Sequence, residues 1–338
     1  MNGQPHFSVV IPAYNSAETL PRAIESVLAQ RTPAHEVIVV DDASSDDTPT
    51  LMARYAAPVR YFRREANAGV SAARNFGAAQ ASGDWLSFLD ADDWYYEDRI
   101  GAHASWIAED STLDFLTGDY EYRDAHGAPL GRSMAQHESG RSLLARVGAG
   151  GRAIMEAPDF EAFVADHFGD THTLSVPRQT FVDIGGYPLG FKVCEDVHFL
   201  TRLVARSHRV GVVCSPLAVY AIHGGSATRR DPVQAQRENV RTLLDLRDLV
   251  SDFPPPVKRG VDTRMRLGRL NLAYALSRHG DRVQALCAVL PSLFENPSVA
   301  SLRDFVSILR ADVDSRYLVL TELFLPTKGG TCLLYTSP

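Results

Sequence analysis

Three short apolar runs, Phe7–Ile11, Glu36–Val40 and Trp85–Leu89, each break off into a polar loop. The run at 36–40 shows no polar alternation, which is the pattern of a strand covered on both faces. Helical periodicity lies between the runs. Leu20, Ile24, Val27 and Leu28 fall on one face, with Ser16 as candidate N-cap and Pro21 near the first turn. Further helices are predicted over 48–56 and, Ala-rich, over 71–81, with a short strand at Arg60-Tyr61-Phe62. Strand-helix-strand alternation of this kind predicts an α/β chain built on a doubly wound sheet. In such sheets ligands bind beyond the carboxyl ends of the strands.

Three loops sit at those ends: Pro12-Ala13-Tyr14-Asn15, Asp41 to Asp47, and Asp90-Ala91-Asp92-Asp93. The second and third are strongly acidic. Ser44, Ser45, Asp46 and Asp47 can be explained as helix capping. Asp90, Asp92 and Asp93 cannot be dismissed so easily, because three carboxylates within four residues repel one another. A hard divalent cation with oxygen ligands relieves that repulsion, and magnesium would keep waters and take substrate phosphates as well.

Downstream, a strand is expected at Thr173–Val176, a helix over 195–206, and strands at 209–213 and 217–222. Residues 126–152 are Gly-rich and weakly patterned and read as a mobile loop. From about Pro232 the chain turns helical, with segments at 234–250, 264–279, 281–290 and 299–310. A helix hairpin turning at His279-Gly280-Asp281 faintly resembles a tetratricopeptide unit, but one copy makes no repeat. Pro254-Pro255-Pro256 punctuates this tail. The last residues, 328–338, match nothing before them and are left out of the fold argument. The division expected is a catalytic domain over 1–230, split into halves at 1–110 and 111–230, and a helical region over 231–327.

Composition narrows the function classes. The net charge of -7 over 338 residues argues against a nucleic-acid partner. Cys194, Cys214, Cys287 and Cys332 are scattered, form no CxxC pair, and read as buried free thiols in a reducing compartment. No signal peptide and no apolar stretch of bilayer-spanning length is found, so the expected compartment is cytoplasmic, with peripheral contact at the inner membrane face left open.

Four linked segments carry a resemblance. They are Ser8–Asn15, Val39–Thr48, Asn67–Asn75 and Ser82–Asp93, and their order and gaps closely resemble the opening of the family-2 glycosyltransferases. The resemblance extends to about residue 225. It implies the A-type glycosyltransferase fold, a Rossmann-like mixed sheet with a nucleotide half and an acceptor half, here with a C-terminal helical extension.

Carried over by position, Asp42 accepts a hydrogen bond from the donor's base, and Pro12, Ala13 and Tyr14 line the base pocket. Arg74 helps to hold the nucleotide. Asp90 and Ala91 lie on the ribose or the metal's water shell, and Asp92 ligates Mn2+ or Mg2+. Gly185–Pro188 followed by Cys194–Phe199 is similar to the family's acceptor-side segment, in which Asp196 matches the general base. An acceptor hydroxyl is a poor nucleophile at neutral pH, so a carboxylate must take its proton. Glu195 is read as an orienting or capping neighbour, and His198 as a residue that can face the core. Tyr220–Ser226 resembles the family's last motif and sends His223 to the metal or the diphosphate.

The expected partners are therefore a UDP- or dTDP-sugar donor and a glycan or lipid-linked glycan acceptor, as in surface polysaccharide synthesis. Two departures are Ala43, where a glycine is usual, and Cys194, where a small residue is common. A sugar nucleotidyltransferase would want a Gly-rich, basic phosphate loop after the first strand, where Ala13-Tyr14-Asn15 stands. A dehydrogenase would want GxGxxG there. The non-enzyme alternative is a nucleotide-sugar-binding homologue without turnover, but every carboxylate that the mechanism needs is present.

Overall fold

The structure, a computed structural model, describes residues 4–223 and 231–310. Four strands, β1 (Phe7–Ala13), β2 (Glu36–Asp41), β3 (Val59–Arg63) and β4 (Trp85–Phe88), form a parallel block in the order β3-β2-β1-β4. Helices Leu20–Leu28 and Val70–Gln80 pack on opposite faces. Val9 and Ile11 look to one face with Leu20, Ile24 and Val27, and Val10 looks to the other with Ala73 and Ala78. Gly77 brings the second helix so close that an added Cβ would lie 2.4 Å from Val10. Sheet winding changes direction between β1 and β4, the switch point at which ligands bind in open α/β sheets.

The sheet then continues antiparallel through β9 (Ser175–Pro177) to β6 (Phe115–Arg123), and parallel to β10 (Val210–Ala221). β5 (Trp94–Tyr95), β7 (Pro129–Arg132) and β8 (Arg152–Met155) pair antiparallel with β10, β6 and β10. The two strands expected at 209–213 and 217–222 are this single β10, whose register slips on either side of Pro216. Proline has no N–H to donate to the ladder.

The expected mobile loop at 126–152 is ordered structure. Besides β7 it holds helices Ser133–Gln136 and Glu138–Leu144, and it runs into β8. Distant carboxylates stabilise it: Met134 N donates to Asp119 Oδ1 at 2.8 Å and Glu138 N to Asp166 Oδ2 at 2.7 Å, while Met134 and Leu143 are buried. Helix Arg99–Glu109 and strand β6 also went unforeseen, and the helix expected over 48–56 stops at Met52. Thr19, not Ser16, stands at the N-cap of the first helix.

Helices Pro232–Leu249, Pro255–Arg278, Arg282–Val289 and Val299–Arg310 form the C-terminal region. The triple proline opens a helix, since proline suits its first turn. Gly280, with φ +82°, makes the hairpin turn, and Asp281 caps the next helix by accepting from Gln284 N at 3.0 Å. Leu243, Leu246, Val257, Val261 and Met265 join the same core as Val10 and Phe88, so the helices extend the sheet domain's own core. Among the described cysteines, all free, Cys287 is exposed, against the expectation of burial. Residues 311–338, including Cys332 and the odd tail, lie outside the described residues, as do Gly224, Gly225 and Ser226 of the last motif. Among the described residues no helix is long and apolar enough to cross a membrane.

Candidate active site

The loops after β1, β2, β4 and β10 meet at one edge of the sheet. After β1, Pro12 and Ala13 are buried and the Tyr14 ring is half exposed. Ala13 O accepts from Asp42 N at 2.8 Å, which joins the first two loops. Asn15 Oδ1 accepts from Ser45 N at 2.8 Å, and Asp46 accepts from Ala17 N and Thr48 N at 3.0 Å each. The Ser44–Asp47 stretch thus closes its own loop. Ala43 takes φ +63°, the left-handed geometry that explains the glycine usual at this position.

Asp42 is 3% exposed. Its carboxylate accepts from Arg64 Nη1 at 2.7 Å, from Ala68 N at 3.0 Å and from Gly69 N at 2.7 Å. It therefore fixes the loop that leads into helix Val70–Gln80.

The acidic loop after β4 divides its carboxylates among three tasks. Asp90 Oδ1 accepts from Arg74 Nη2 at 2.6 Å. Asp92 Oδ2 meets His223 Nε2 at 2.7 Å, and both side chains stay about one-third exposed, at 38% and 35%. Asp93 is buried: Oδ1 accepts from Ala221 N at 2.8 Å, and Oδ2 lies 3.5 Å from His172 Nδ1. Asp93 thereby ties the end of β10 to the loop and brings His223 to Asp92. Burial, with the charges of Asp92 and Asp90, lifts Asp93 well above the usual carboxylate range, and burial lowers His172 to about 4. Ala91 is buried in the turn. Arg22 donates to Asp92 O at 2.8 Å and lies over the Trp94 ring, 3.8 Å from its centroid.

The segment expected to face the acceptor leads into helix Glu195–Val204. Cys194 precedes it with φ +63°, so the chain enters the helix through a left-handed residue. Glu195 Oε1 accepts from Arg74 Nη1 at 2.9 Å, and Asp196 Oδ1 accepts from Val197 N at 2.8 Å. Burial and the Asp170 carboxyl push Asp196 up to about 8. Burial also lifts Glu195, though Arg74 pulls it back.

Arg74 is a buried clamp, 3% exposed, with each terminal nitrogen on a different carboxylate. Its guanidinium lies 4.9 Å from the Tyr187 ring centroid. The neighbouring Asn75 side chain accepts from Tyr187 N at 2.8 Å and donates to Tyr187 O at 2.8 Å. Positions 74 and 75 thus bind the loop after β4 to the segment around Tyr187 and Glu195.

His198 faces the C-terminal helices, with Nε2 3.0 Å from Asp245 Oδ2, and stays out of the cleft. Asp170 and His172 belong to this site without having been singled out in the sequence. Asp170 followed by Thr173 is a capping-box spacing, and the structure forms that box at a 3-10 turn, Thr171–Thr173.

Asp92 and His223 offer one carboxylate oxygen and one imidazole nitrogen on the open side of the loop. Among the described residues no group of three or more His, Cys, Asp or Glu side chains is placed to hold a metal. The pair fits a divalent ion that completes its shell with waters and substrate phosphates, a mode in which two protein ligands suffice.

The comparisons agree with this geometry. Residues 8–149 match the family described as Glycosyl transferase family 2. An uncharacterized glycosyltransferase of Haemophilus influenzae is 26% identical over 239 residues, 70% of this chain and 74% of that protein. The succinoglycan biosynthesis protein ExoO of Rhizobium meliloti is 47% identical over 97 residues, 28% of each chain. TuaG of Bacillus subtilis, a putative teichuronic acid biosynthesis glycosyltransferase, is 32% identical over 141 residues, 41% of this chain and 56% of that one. The chain thus spans about half of TuaG's length and less of ExoO's. Among solved structures, S. aureus TarS 1-349 in complex with UDP-GlcNAc superposes with a TM-score of 0.56 at 19% identity, covering 90% of this chain and 79% of that one. The mannosyltransferase PcManGT of Pyrobaculum calidifontis, in complex with GDP-Man and Mn2+, gives 0.58 at 18% identity, covering 90% and 80%. The fold is the A-type fold of these enzymes. Residues 8–149 thus match the family 2 glycosyltransferases, and the sheet and the four linked motifs agree with that match.

Proposed function

We propose that this protein transfers a sugar from a UDP- or dTDP-sugar to an acceptor hydroxyl with inversion at the anomeric carbon, aided by a divalent cation. The observation that carries the reading is the Arg74 clamp. It holds Asp90, in the loop of the cation pair, and Glu195, beside Asp196, on one guanidinium. On this reading the cation pair and the general base stand on two elements braced by one guanidinium, which supports direct displacement.

Asp196 takes the acceptor's proton as the oxygen attacks the anomeric carbon opposite the diphosphate. Its raised pKa suits the task, since a base works best with a pKa near the operating pH. Asp92 and His223 would hold Mn2+ or Mg2+, which when bound stabilises negative charge on the departing diphosphate. Tyr14, beside buried Pro12 and Ala13, offers a ring to the donor's base. Asp42 accepts from the imide N–H of uracil or thymine, an edge that cytosine lacks. Ala91 lets the backbone of the loop come close to the ribose.

Succinoglycan and teichuronic acid synthesis, named for two relatives, favour a surface polysaccharide or glycoconjugate as the acceptor. An active site with no membrane-spanning helix among the described residues suits a cytoplasmic enzyme that meets lipid-linked acceptors at the inner membrane face.

The test is nucleotide release from a panel of donors, followed by the anomeric configuration of the product by NMR. UDP or dTDP released with inversion is expected. A retained configuration would remove Asp196 as base. Equal affinity for UDP and CDP by calorimetry would remove Asp42 as the base reader, because a site built around a hydrogen bond discriminates strongly when that bond is lost.

A further inference from the structure

One of the C-terminal helices grips the chain on both sides of Asp196. Helix Pro232–Leu249 presents Thr242 and Asp245 at i and i+3, on one face. Ahead of the base, Thr242 Oγ1 lies 2.8 Å from Val193 O, nearer than the 3.0 Å to Glu238 O in its own helix. Val193 precedes Cys194, the left-handed residue through which the chain enters the base helix. Behind the base, Asp245 Oδ2 lies 3.0 Å from His198 Nε2. The contacts at 193 and 198 thus bracket Glu195 and Asp196.

His198 passes the hold on. Its ring is buried, and Nδ1 accepts from Arg202 Nε at 3.1 Å. An arginine only donates, so Nδ1 is the bare nitrogen, and the ring proton sits on Nε2 and is donated to Asp245. Burial, then the Arg202 charge, lowers His198 below its ordinary value, which keeps the ring neutral at neutral pH. Arg202 sends its other two nitrogens to a turn ahead of the base. Nη1 donates to Ile184 O at 2.8 Å and Nη2 to Gly186 O at 2.5 Å. Gly186 takes φ +65° and packs so close to Asn75 that an added Cβ would lie 2.5 Å from Asn75 Oδ1. Tyr187, next in the chain, is bonded to Asn75 through both its backbone N and its backbone O. The line Asp245–His198–Arg202–Gly186 therefore ends at the residue beside the Arg74 clamp.

We propose that Thr242 and Asp245 are positioning residues for sugar transfer, through which the C-terminal helix holds the base helix and the turn at 184–187 in one register and so sets Asp196 against the clamp. The proposal rests on the reading of Asp196 as general base. Asp196 stands in the first turn of its helix, and helix ends fray. A general base must stay within hydrogen-bond reach of the proton it takes, and a misplacement of about 1 Å can cost about 10²-fold. The Asp245 side chain is 53% exposed, so its contact adds little to the stability of the fold. What it fixes is the orientation of the ring. Leu243 and Leu246, buried in the main core, keep the helix docked when Asp245 is changed.

The test uses the full chain. Asp245→Leu removes the acceptor of the ring proton, and Asp245→Asn keeps one in its amide oxygen. Without substrate, hydrogen exchange across 184–198 should quicken in Asp245→Leu and stay near wild type in Asp245→Asn. In the transfer assay, kcat of Asp245→Leu should fall about 10-fold or more, with UDP Kd unchanged, and Asp245→Asn should recover most of it. Thr242→Val should act in the same direction, and it carries the test should Asp245→Leu fold poorly. An unchanged kcat in Asp245→Leu, whatever its melting temperature or exchange, would reduce these contacts to packing and overturn the proposal. So would an Asp245→Asn as slow as Asp245→Leu, since the hydrogen bond would then not be what matters. Slow transfer in Asp245→Leu beside full transfer in Asp196→Asn would instead fault Asp196 as the base.

Discussion

Arg74 and Glu195 are 121 residues apart in the chain and 2.9 Å apart in the fold, with the other arm of the same guanidinium on Asp90. A planar guanidinium can hold two carboxylates at a fixed angle, whereas an ammonium is a single point charge. Arg74→Lys should therefore loosen the base helix against the metal loop. Small misplacements of reacting groups cost about 10²-fold, so a fall in kcat of about 10-fold or more is expected, with donor Kd little changed. Isothermal titration with UDP beside steady-state kinetics checks it. A donor Kd that rises in step with the loss of kcat/KM would mean that Arg74 holds the nucleotide directly.

The contact between Asp92 and His223 leads to the second prediction. Chelator should abolish transfer, and Mn2+ or Mg2+ should restore it. Asp92→Ala should lose the part of UDP affinity that depends on added metal, while metal-free UDP binding stays near wild type. Full transfer in excess chelator, or an unchanged metal-dependent gain in UDP affinity in Asp92→Ala, would remove Asp92 as a ligand.

Away from the cleft, Glu36 opens β2 with its carboxylate buried. Burial raises its pKa, but the backbone and hydroxyl of Ser82, then Arg60 and Ser8, outweigh that and lower it to about 2. A folded-state pKa below the ordinary 4.5 gives stability that is present above that value and lost as pH falls toward 2. Glu36→Gln should thus melt below the wild type at pH 7. The gap should narrow between about pH 4.5 and pH 2. Thermal unfolding across that range checks the sign, and a gap that stays constant would show that the carboxylate charge plays no part.

The donor half was legible because its strands are covered on both faces. Burial on two sides leaves runs such as Val37–Val40 with no polar interruption, and the acidic loops then stand out at their ends. The stretch after residue 110 hid its order for the opposite reason. Strand β6 reads Phe-Leu-Thr-Gly-Asp-Tyr-Glu-Tyr-Arg, with Gly118 and Asp119 in its middle, and Asp119 is buried there to cap Met134 and bind Arg132. No local period shows a carboxylate whose partners lie 13 and 15 residues away. Asp170 went unseen in the same way, since its capping box with Thr173 reads as an ordinary turn in the sequence. Asp92, Asp196 and His223 are expected from motifs, which a sequence carries whole. The role of Arg74 as a cross-brace exists only in the fold, because an arginine on an Ala-rich helix looks the same in sequence whether it faces solvent or two carboxylates.

Asp196→Asn is the sharpest test of the mechanism. The amide keeps the size of the carboxyl and its carbonyl oxygen can still accept from Val197 N, so the fold should survive. It cannot accept the acceptor's proton at neutral pH. UDP and metal should bind nearly as before, since Asp42, Asp92 and His223 stand on other loops. The single-turnover rate should fall by ~10²–10⁴-fold, the usual worth of a positioned general base. If Asp196 only capped its helix, the outcome would differ. Its Oδ1 accepts from Val197 N at 2.8 Å, and losing such a cap costs about 1 kcal/mol with turnover largely intact. Rate, UDP affinity and melting temperature measured on the same variant separate the two roles. A variant that melts lower yet transfers sugar at close to the wild-type rate would move the base to another carboxyl. Glu195 would be the next to test, although its bond to Arg74 turns it away from the acceptor's proton.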